Sequence, residues 1–362
     1  MRIAVDLVYF TGRKGGTETY AQALYTALGR VFPEVELIAL VNTEAGGVAP
    51  DWFPGEAFSI HASGENRIAW ALAENVEVPL SAARIGADVL HCPANFGPAL
   101  SRVPVVLTVH DLLGFRYPEL VVAGGARVVQ MLTRTSVRGA RKVLTDSDAS
   151  AADLRNYLSV PGERISVVPL AAWAPGTASP RPIADRPSLL STGNRMPHKN
   201  FETLLRALAS IPHARRPRLI IPGSHGADPL RPLVDRLGLH DDVDLLGWVS
   251  TEELDRLYRQ ATMYVLPSRF EGFGLPVLEA MVRGCPVLCS DIPVLRELGG
   301  TAAVYSNTGV ASVLAQDIHR VVWDTELLAT LHTAGLARAA SFSWERTARA
   351  TFQVLQHAAN GP

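Results

Sequence analysis

The hydrophobic residues of this chain fall into short apolar runs, separated by longer segments in which apolar residues recur at helical spacing. Residues 2–8 form the first run, a glycine-rich turn follows, and residues 17–30 place Leu24 and Leu28 on one helical face. Further strands are predicted at residues 35–42, 88–91, 103–109, 142–146 and 164–168. Short buried strands that alternate with helices predict a parallel sheet covered by helices on both faces.

The alternation stops at residues 169–187, where five prolines occur without periodicity, and we interpret residues 171–187 as an interdomain linker. It resumes with predicted strands at residues 188–192, 218–221, 243–246, 263–266, 286–289 and 302–305, and helices at 201–210, 251–260 and 276–283. The pattern predicts an α/β protein with two Rossmann-like, doubly wound domains, at residues 1–170 and 188–342. Ligands of such domains bind beyond the carboxyl ends of the strands, so two facing domains would place the active site in the cleft between them.

The C-terminal segment, residues 343–362, is predicted to be a closing helix. Ser343 can cap its first turn, and Glu345 suits the positive end of its dipole. We expect this helix to pack back on the N-terminal domain.

Composition excludes several classes of function. Lys and Arg total 34 against 35 for Asp and Glu, and this balance argues against nucleic-acid binding driven by bulk charge. Cys92, Cys285 and Cys289 form no C-x-x-C pair and have no histidines at zinc-ligand spacing, so we interpret them as buried thiols in a reducing compartment. We find no signal-peptide pattern and no apolar run of the roughly 18 residues that span a bilayer. We expect a cytoplasmic protein, with the inner face of the membrane as a second location.

The most informative segment runs from Arg269 to Glu279. Two carboxylates, Glu271 and Glu279, stand eight positions apart, and Gly-Phe-Gly-Leu-Pro lies between them. Glycine lets the backbone come close to a ligand, and proline is well suited to the start of a helix. The free N–H groups of a helix start attract phosphate, while carboxylates accept hydrogen bonds from hydroxyls. The segment therefore predicts a site for a sugar nucleotide.

This segment and four others, in the same order, resemble the retaining glycosyltransferases of family 4, which have the GT-B fold. Residues 270–288 resemble the family's C-terminal motif, and Gly15-Gly-Thr-Glu-Thr-Tyr20 resembles its N-terminal glycine loop. The other three segments are Thr108-Val-His-Asp-Leu112, Thr145-Asp-Ser147 and Gly193-Asn-Arg-Met-Pro-His-Lys-Asn200. The resemblance covers nearly the whole chain and implies a transferase that uses a nucleoside-diphosphate sugar.

The resemblance implies roles for residues of the C-terminal domain. Lys199 would act as a point charge on the departing phosphate, Glu271 would hold hydroxyls of the transferred sugar, and Glu279 would hold those of the ribose. The backbone amides that would meet the sugar and diphosphate are those of Phe273, Gly274 and Leu275. The glutamates could instead be solvated charges at a helix start, but the surrounding glycines favour the functional reading.

The phosphate-binding loop departs from the family pattern at one position. Many members have arginine directly after the glycine, whereas this chain has Asn194 there and Arg195 one place later. Asn194 is assigned to the donor site, and Arg195 is a second candidate cation that would swing in. His198 could instead share that role. A further alternative is that Arg195 is simply a loop-surface charge.

In the N-terminal domain the resemblance implies that Gly15 and Gly16 approach the same diphosphate. A plain strand–helix turn is the structural alternative for both glycines. His110 follows a predicted strand and would lie beside the transferred sugar and the acceptor. Asp111 would orient His110 or contact the acceptor, or it could cap the next turn.

The predicted mechanism uses no metal, no other cofactor and no enzyme nucleophile. A covalent intermediate would need a carboxylate about 5 Å across the sugar from the acid, and we identify no such residue. The family favours front-face attack, in which the acceptor hydroxyl enters on the side that the phosphate leaves. Asp146-Ser-Asp148 has the letters of a metal-binding D-x-D motif, but its place matches the family's serine loop.

A basic segment follows the histidine motif. If residues 124–142 are helical, Arg127, Arg134, Arg138 and Arg141 fall within about 60° of one another. We hypothesise that this segment contacts an anionic membrane or a lipid-diphosphate acceptor, with a solvated helix face as the alternative.

We therefore predict a retaining hexosyltransferase with GDP-mannose as the first choice of donor and a UDP-hexose as the next. The acceptor would be a hydroxyl of a saccharide, a lipid-linked saccharide or a small molecule, in glycan, glycolipid or natural-product biosynthesis. The main alternative is a nucleotide-sugar epimerase or hydrolase of the same fold. A phosphorylase-like enzyme and a non-catalytic sugar-nucleotide-binding protein are weaker alternatives.

Overall fold

The computed structural model describes residues 1–12, 15–121, 125–173, 186–224 and 226–361. The chain forms two compact units: Met1–Leu170 together with Ser343–Pro362, and Ala171–Phe342. Most of the segment interpreted as a linker lies outside the described residues. None of the described helices is long and apolar enough to cross a membrane.

Within its described residues, the first unit is built on a parallel sheet with the strand order β3-β2-β1-β4-β5-β6-β7. The strands are β1 (Arg2–Leu7), β2 (Glu36–Val41), β3 (Glu56–Ser59), β4 (Val89–Cys92), β5 (Val105–Thr108), β6 (Lys142–Thr145) and β7 (Ile165–Val167). The helices are α1 (Gly16–Val31), α2 (Arg67–Asn75), α3 (Glu77–Arg84), α4 (Leu113–Arg116), α5 (Gly125–Gly139) and α6 (Asp148–Leu158). Strands β1, β4 and β5 are almost wholly buried, which is why they appear in the sequence as continuous apolar runs.

Strand β3 is absent from the prediction. It lies at the edge of the sheet beside β2, and none of its residues is fully buried. Its sequence Glu-Ala-Phe-Ser therefore has neither the apolar run of a central strand nor a clear two-residue alternation.

The second unit has a parallel sheet of its own, with the strand order β10-β9-β8-β11-β12-β13 in the part of the chain that is described. The strands are β8 (Ser188–Leu190), β9 (Arg218–Ser224), β10 (Val243–Gly247), β11 (Met263–Leu266), β12 (Val287–Ser290) and β13 (Val304–Ser306). The helices are α7 (Phe201–Ser210), α8 (Arg231–Arg236), α9 (Thr251–Gln260), α10 (Leu275–Val282), α11 (Pro293–Gly299), α12 (Ala311–Val322) and α13 (Thr325–Ala339). Two doubly wound α/β units of this kind confirm the predicted fold class.

The last helix, α14 (Trp344–Asn360), belongs to the first unit. The Ser343 hydroxyl accepts a hydrogen bond from the backbone N–H of Arg346 and caps the helix, as its sequence predicts. Thr347 donates to the carbonyl of Pro169 at 2.7 Å, at the point where the chain leaves this unit. The ring of Phe352 stacks on Phe32 of the first unit, with 4.1 Å between centroids.

Each sheet has one point where the strand order reverses. This point lies between β1 and β4 in the first sheet and between β8 and β11 in the second. Ligands of open α/β sheets bind beyond the carboxyl ends of the strands at such a switch point. The loops that follow β1, β4 and β5, and those that follow β8 and β11, are therefore where functional residues are expected.

Candidate functional site

The loops that follow β8 and β11 meet through an ion pair. The Lys199 ammonium donates to Glu271 Oε1 at 2.8 Å, and the two side chains are only 14% and 10% exposed. The residues are far apart in sequence, but β8 and β11 are neighbours in the sheet, so their carboxyl ends bring the two loops together. An ammonium has three donors, so Lys199 can hold Glu271 and still donate to an anion.

Asn200 fixes the position of this lysine. Its backbone is left-handed, with φ at 57°, and its buried amide donates to the carbonyls of Pro267 and Thr308. The backbone N–H of Arg269 also donates to the carbonyl of His198 at 2.8 Å. Three loops at the same edge of the sheet are thus joined by hydrogen bonds that do not involve the ion pair itself.

Glu279 lies on α10, in the second turn of the helix, and is partly buried. The Tyr258 hydroxyl donates to Glu279 Oε2 at 3.0 Å and also lies 3.3 Å from the hydroxyl of Thr192, after β8. Burial raises the pKa of Glu279, against the opposing effects of the Tyr258 hydrogen bond and nearby Arg283. The carboxylate is held by its neighbours at the same switch point as Lys199.

Helix α10 starts at a glycine that no other residue can replace without strain. Gly274 caps the helix with φ at 94°, and a Cβ atom there would lie 2.6 Å from Leu295 Cδ2. Leu275 is the first helical residue, and Pro276 follows it. Phe273 is buried against Phe342, with the rings edge to face. The predicted donor-binding segment therefore presents backbone groups at a helix start, with Phe273 as its anchor.

Arg195 has a different environment from the one its predicted role requires. Its Nε and one terminal nitrogen donate to Asp228, the closest contact being 2.7 Å. The remaining hydrogen bonds run to the carbonyls of Gly193, Ile221 and Pro222. These contacts occupy all five donors of a guanidinium that is only 7% exposed. The interpretation of Arg195 as a phosphate-binding cation is therefore corrected: it braces the loop after β8 against strand β9 and Asp228, which follows that strand.

Asn194, also assigned to the donor site, is exposed at the same turn. Its side-chain oxygen accepts a long hydrogen bond, 3.4 Å, from the backbone N–H of Met196. The preceding Gly193 has φ at 136°, and the stem of Lys199 passes 3.6 Å from where its Cβ would be. The turn therefore leads directly to the lysine, with Asn194 on its outer side.

In the first unit the glycine loop after β1 opens α1. Gly15 is the N-cap, with φ at 67°, and Gly16 is the first residue of the helix. The buried carboxylate of Glu18 accepts hydrogen bonds from the backbone N–H groups of Thr11 at 2.6 Å and Gly12 at 3.0 Å. Glu18 thus closes the loop back on the helix, and the two glycines lie at the switch point of this sheet.

His110 lies just beyond β5 and is held on both sides of its ring. Nδ1 is 2.7 Å from Asp146 Oδ2, and Nε2 is 2.9 Å from the carbonyl oxygen of Pro93. The ring of Tyr20 meets it edge to face at 4.7 Å. Burial would lower the pKa of His110, but Asp146 and the Pro93 carbonyl outweigh that effect and the pKa is raised.

Asp111 stabilises the turn that leads into α4, which agrees with the turn-capping alternative. Its Oδ1 accepts a hydrogen bond of 2.9 Å from the backbone N–H of Leu113, the first residue of α4. Next to it, the backbone N–H of His110 donates to Asn95 Oδ1 at 2.7 Å. The segment 110–113 is therefore fixed by its own side chains and by the loop after β4.

One buried cluster of the first unit has the composition of a metal site. Ligand atoms of Asp6, Glu74 and Cys92 lie within 4.8 Å of one another. Val8 donates its backbone N–H to Asp6, and the Trp70 indole donates to Glu74 at 2.7 Å. Burial raises the pKa of Asp6 to about 6 and that of Glu74 and Cys92 well above their ordinary values. Burial therefore favours the protonated forms of these three side chains, and we assign no metal to the cluster.

The basic segment after the histidine motif is helical over a shorter range than predicted. Helix α5 ends at Gly139, and Arg141 lies beyond it with its guanidinium on the carbonyl of Ala358. Arg141 therefore does not share the helix face with the other arginines. Arg127, Arg134 and Arg138 are exposed on α5, as are the apolar side chains of Val128 and Met131.

Several residues of this neighbourhood were not identified from the sequence. Asn200 lies in the motif of residues 193–200, and Glu18 lies in the glycine loop of residues 15–20. Membership of these motifs is the sequence signal that points to both residues. Asp146 lies in the Thr145-Asp-Ser147 motif, but the sequence did not identify it as the partner of His110. Tyr258 and Asp228 had no local signal, because their contacts come from other elements of the sheet.

Comparison with known proteins agrees with this geometry. A family model described as glycosyltransferase family 4 matches residues 14–171, and one described as glycosyl transferases group 1 matches residues 178–335. The chain is 33% identical over 265 residues to O-antigen chain mannosyltransferase B of Escherichia coli. The aligned region covers 69% of this chain and 70% of that enzyme.

Solved structures of GT-B glycosyltransferases share the fold. Sucrose-phosphate synthase of Thermosynechococcus elongatus superposes with a TM-score of 0.80 at 22% identity, over 99% of this chain and 98% of that one. HepE of Anabaena, solved in complex with UDP-glucose, superposes with a TM-score of 0.73 at 19% identity, over 98% of this chain and 99% of that one. Taken with the matched models and the similarity to the Escherichia coli enzyme, these findings show that this chain belongs to the group 1 glycosyltransferases of family 4.

Proposed function

We propose that this glycosyltransferase moves a hexosyl group from a nucleoside-diphosphate sugar to a hydroxyl acceptor with retention of configuration. The observation that carries the proposal is the Lys199–Glu271 ion pair at the switch point between β8 and β11. It places a cation and a hydroxyl-binding carboxylate side by side, next to the start of α10. A diphosphate joined to a sugar needs both groups at that spacing, because the charge and the hydroxyls belong to adjacent parts of one ligand.

We propose GDP-mannose as the first choice of donor and a UDP-hexose as the second. Similarity to an enzyme named as a mannosyltransferase supports the transferred sugar. The likeness to HepE, solved with UDP-glucose, keeps the second choice in place. The described groups around Glu279 suit a ribose, which both donors share, and so they do not discriminate between the two bases.

Front-face attack is the mechanism that these side chains support best. Glu271 accepts a hydrogen bond from Lys199, and Glu279 accepts one from Tyr258. Both carboxylates are therefore placed as hydrogen-bond acceptors, which suits a mechanism without an enzyme nucleophile. In this scheme Lys199 stabilises the departing phosphate, which takes the proton of the incoming hydroxyl.

We further propose that the reaction needs no metal ion or other cofactor. Of the D-x-D letters at residues 146–148, Asp146 is bound to His110 and Ser147 caps α6 by accepting from the N–H of Ser150. Asp148 is the first residue of α6, where the helix dipole stabilises a carboxylate. These positions give the motif a structural explanation. Transfer that persists after EDTA treatment would support the proposal, and loss that Mg²⁺ or Mn²⁺ restores would contradict it.

We propose that the first unit binds the acceptor, with Asp111 and the segment around His110 as the contacts. We also propose that the reaction takes place in the cytoplasm or at the inner face of the membrane. On α5, Arg127, Arg134 and Arg138 are exposed beside Val128 and Met131. Exposed arginines beside exposed apolar side chains are suited to an anionic lipid surface.

Vesicle co-sedimentation tests the membrane contact. Arg134→Glu plus Arg138→Glu should abolish binding to anionic vesicles and leave the weak binding to neutral ones unchanged. Arg231→Glu plus Arg236→Glu on α8 makes the same charge change on exposed residues of the second unit and serves as the matched control. Equal recovery of all three proteins with both kinds of vesicle would contradict the contact.

A donor panel tests the central proposal. Thermal unfolding with GDP, UDP, TDP, ADP and their sugars should show one preferred nucleotide, since a ligand at 100 times its Kd stabilises by about 2.7 kcal/mol. NMR of the product with the preferred donor should show the anomeric configuration of the donor. An inverted product would contradict retention, and no stabilisation by any nucleotide would contradict the donor class.

The alternative function is a nucleotide-sugar epimerase or hydrolase. The discriminating experiment supplies the donor alone, because such enzymes act without an acceptor. Slow hydrolysis that an acceptor outcompetes supports transfer. Rapid release of free sugar or an epimer would favour the alternative.

A further inference from the structure

The ring of His110 connects the ends of three neighbouring strands. Pro93 directly follows β4, His110 follows β5, and Asp146 directly follows β6. These strands are adjacent in the sheet, and the two ring nitrogens reach the outer two of the three ends. We propose that His110 is a doubly protonated imidazolium clamp, with Asp146 as its counter-ion, that positions the acceptor-side loops and does not itself transfer a proton.

The hydrogen-bond partners define where the protons are. The carbonyl oxygen of Pro93 can only accept, so Nε2 must carry a proton to make the 2.9 Å contact. The 2.7 Å contact between Nδ1 and Asp146 Oδ2 needs one further proton between the two atoms. That proton stays on the imidazole, because an ordinary carboxyl is about two to three pKa units more acidic than an ordinary imidazole.

The charged and titratable groups that face the ring agree with this assignment. Asp146 and Asp111 both favour the cation, and together with the Pro93 carbonyl they raise the pKa of His110 although burial opposes them. His91, behind it in β4, stays neutral because burial, and then the charge of His110, lower its pKa to about 3. Burial raises the pKa of Tyr20, whose ring packs on His110, so its hydroxyl stays protonated.

His91 provides a comparison within the same sheet. Its Nδ1 lies 2.8 Å from the Tyr25 hydroxyl and its Nε2 lies 2.9 Å from the Thr108 hydroxyl. A hydroxyl can donate or accept, so a neutral ring satisfies both contacts. Within the part of the chain that the structure describes, neither ring nitrogen of His110 has a hydroxyl partner, and this difference in partners explains why one histidine is neutral and the other is charged.

A ring with both N–H groups engaged has no lone pair to accept a proton from an acceptor hydroxyl. Its action is therefore on the backbone around it. The backbone N–H of His110 donates to Asn95 Oδ1, and the backbone carbonyl of His110 accepts from the Ser150 hydroxyl at 3.1 Å. The loop after β4, the segment 110–113 and the start of α6 are held together in this way. The positioning role rests on the proposed transferase function, whereas the charge of the ring does not.

Asp146→Asn separates charge from geometry. The introduced amide can donate to a bare Nδ1 while Nε2 still donates to Pro93, so the clamp is kept and the ring becomes neutral. We expect ¹⁵N-histidine NMR of the ligand-free wild-type chain at pH 7.5 to show two protonated ring nitrogens for His110, assigned by the signals that His110→Gln removes. In Asp146→Asn the same ring should show one unprotonated nitrogen. An unprotonated nitrogen in the wild-type ring would overturn the proposal whatever the enzyme transfers.

Activity then distinguishes positioning from proton transfer. Asp146→Ala frees the ring and should lower kcat by about 100-fold, the effect of a misplaced reacting group. Asp146→Asn keeps the clamp and should retain at least ten times the kcat of Asp146→Ala. If proton transfer required Asp146, Asp146→Asn should be as impaired as Asp146→Ala, since a wrong tautomer alone costs about 10⁴-fold in a catalytic triad. Where Asp146→Ala does not fold, the ring signals of the wild-type chain and of Asp146→Asn decide the question.

Discussion

Lys199 and Glu271 form an ion pair of 2.8 Å across two loops that are 72 residues apart in the sequence. Both side chains are mostly shielded from water, so removing either one would leave the charge of the other without its partner. Under the proposed function, the pair would bind a ligand with a negative part and a hydroxylated part. Substitutions at Lys199 and Glu271 can therefore separate effects on stability from effects on turnover.

Lys199→Met should lower both properties. We expect a loss of about 100- to 1,000-fold in kcat, the effect of removing a group that stabilises transition-state charge. The unpaired Glu271 should also lower the free energy of unfolding by about 3 kcal/mol, near the lower end for a broken buried pair. Adding Glu271→Gln should recover most of this stability, measured by urea unfolding, and none of the turnover.

Arg206→Met provides the control for that prediction, because the side chains of Arg206 and its partner Glu202 are 51% and 63% exposed. Its effect on unfolding should stay below about 1 kcal/mol. A Lys199→Met chain as active as the wild type would rule out a role for the lysine on the departing phosphate.

Arg195→Lys should destabilise the second unit. The ammonium cannot replace the five donors that reach Asp228 and three carbonyls, and the largely shielded carboxylate of Asp228 would lose hydrogen bonds. We expect a loss of about 3–5 kcal/mol in the free energy of unfolding. Donor affinity per folded molecule, measured by calorimetry at low temperature, should change little.

The two outcomes of that experiment are mutually exclusive. Reduced donor affinity with unchanged unfolding would return Arg195 to the phosphate site. Adding Asp228→Asn should restore part of the lost stability, because it removes the unpaired buried charge.

Gly274→Ala should be more harmful than alanine at a comparable glycine. The residue has positive φ, which costs roughly 1–2 kcal/mol for a residue with Cβ. Its Cβ would also meet buried Leu295, and overpacking of this kind adds about 1–3 kcal/mol. Gly238→Ala is the matched control, since it has φ at 65° and open space at Cβ.

The effect of Gly274→Ala on function should follow from the start of α10. Displacing this turn should weaken donor binding, measured by thermal shift with the preferred nucleotide, whereas Gly238→Ala should bind normally. Equal stability losses for the two variants would show that the contact with Leu295 is readily relieved.

The Asp6–Glu74 pair should make stability depend on pH. Ligand atoms of the two carboxyl groups lie within 4.8 Å of each other, and burial raises the pKa of both, that of Asp6 to about 6. The folded chain therefore binds more protons than the unfolded chain above about pH 4, and stability falls as the pH rises through about 6 and beyond. Urea unfolding at pH 5, 6.5 and 8 should show this decline.

Glu74→Gln removes one of the two titrating groups and keeps a donor for Asp6 and an acceptor for the Trp70 indole. The decline in the free energy of unfolding between pH 5 and 8 should become smaller, so the variant should gain on the wild type at pH 8. The exposed Glu65→Gln serves as the control and should leave the pH dependence unchanged. Parallel pH profiles for the wild type and Glu74→Gln would contradict the role of Glu74 in this pH dependence.

The sequence predicted most of the strands and the family because both depend on local patterns. Buried parallel strands such as β1, β5 and β12 consist of consecutive apolar residues, so their positions are visible in the chain itself. The motif around Glu271 and Glu279 is contiguous for the same reason. Edge strand β3 has no fully buried residue, and its sequence therefore gave no such pattern.

The partners of the charged residues could not be obtained in that way. Arg195 looked like a free cation in a loop, but Asp228 and the carbonyls around β9 surround it. Asp146 looked like one letter of a metal motif, yet β6 lies beside β5 and brings it to His110. The predicted basic face of α5 also lost Arg141, because the helix ends at Gly139 and α14 supplies a carbonyl for its guanidinium.

The sequence by itself determined the two α/β units, the family, and the residues placed at the ends of the strands. Hydrophobic period and contiguous motifs are sufficient for these, since both are properties of neighbouring residues. Only the tertiary structure decided which charge pairs with which: Lys199 with Glu271, Arg195 with Asp228, and His110 with Asp146. Such pairs form where strands distant in the sequence become neighbours in a sheet, and strand order is not encoded in any local stretch of the chain.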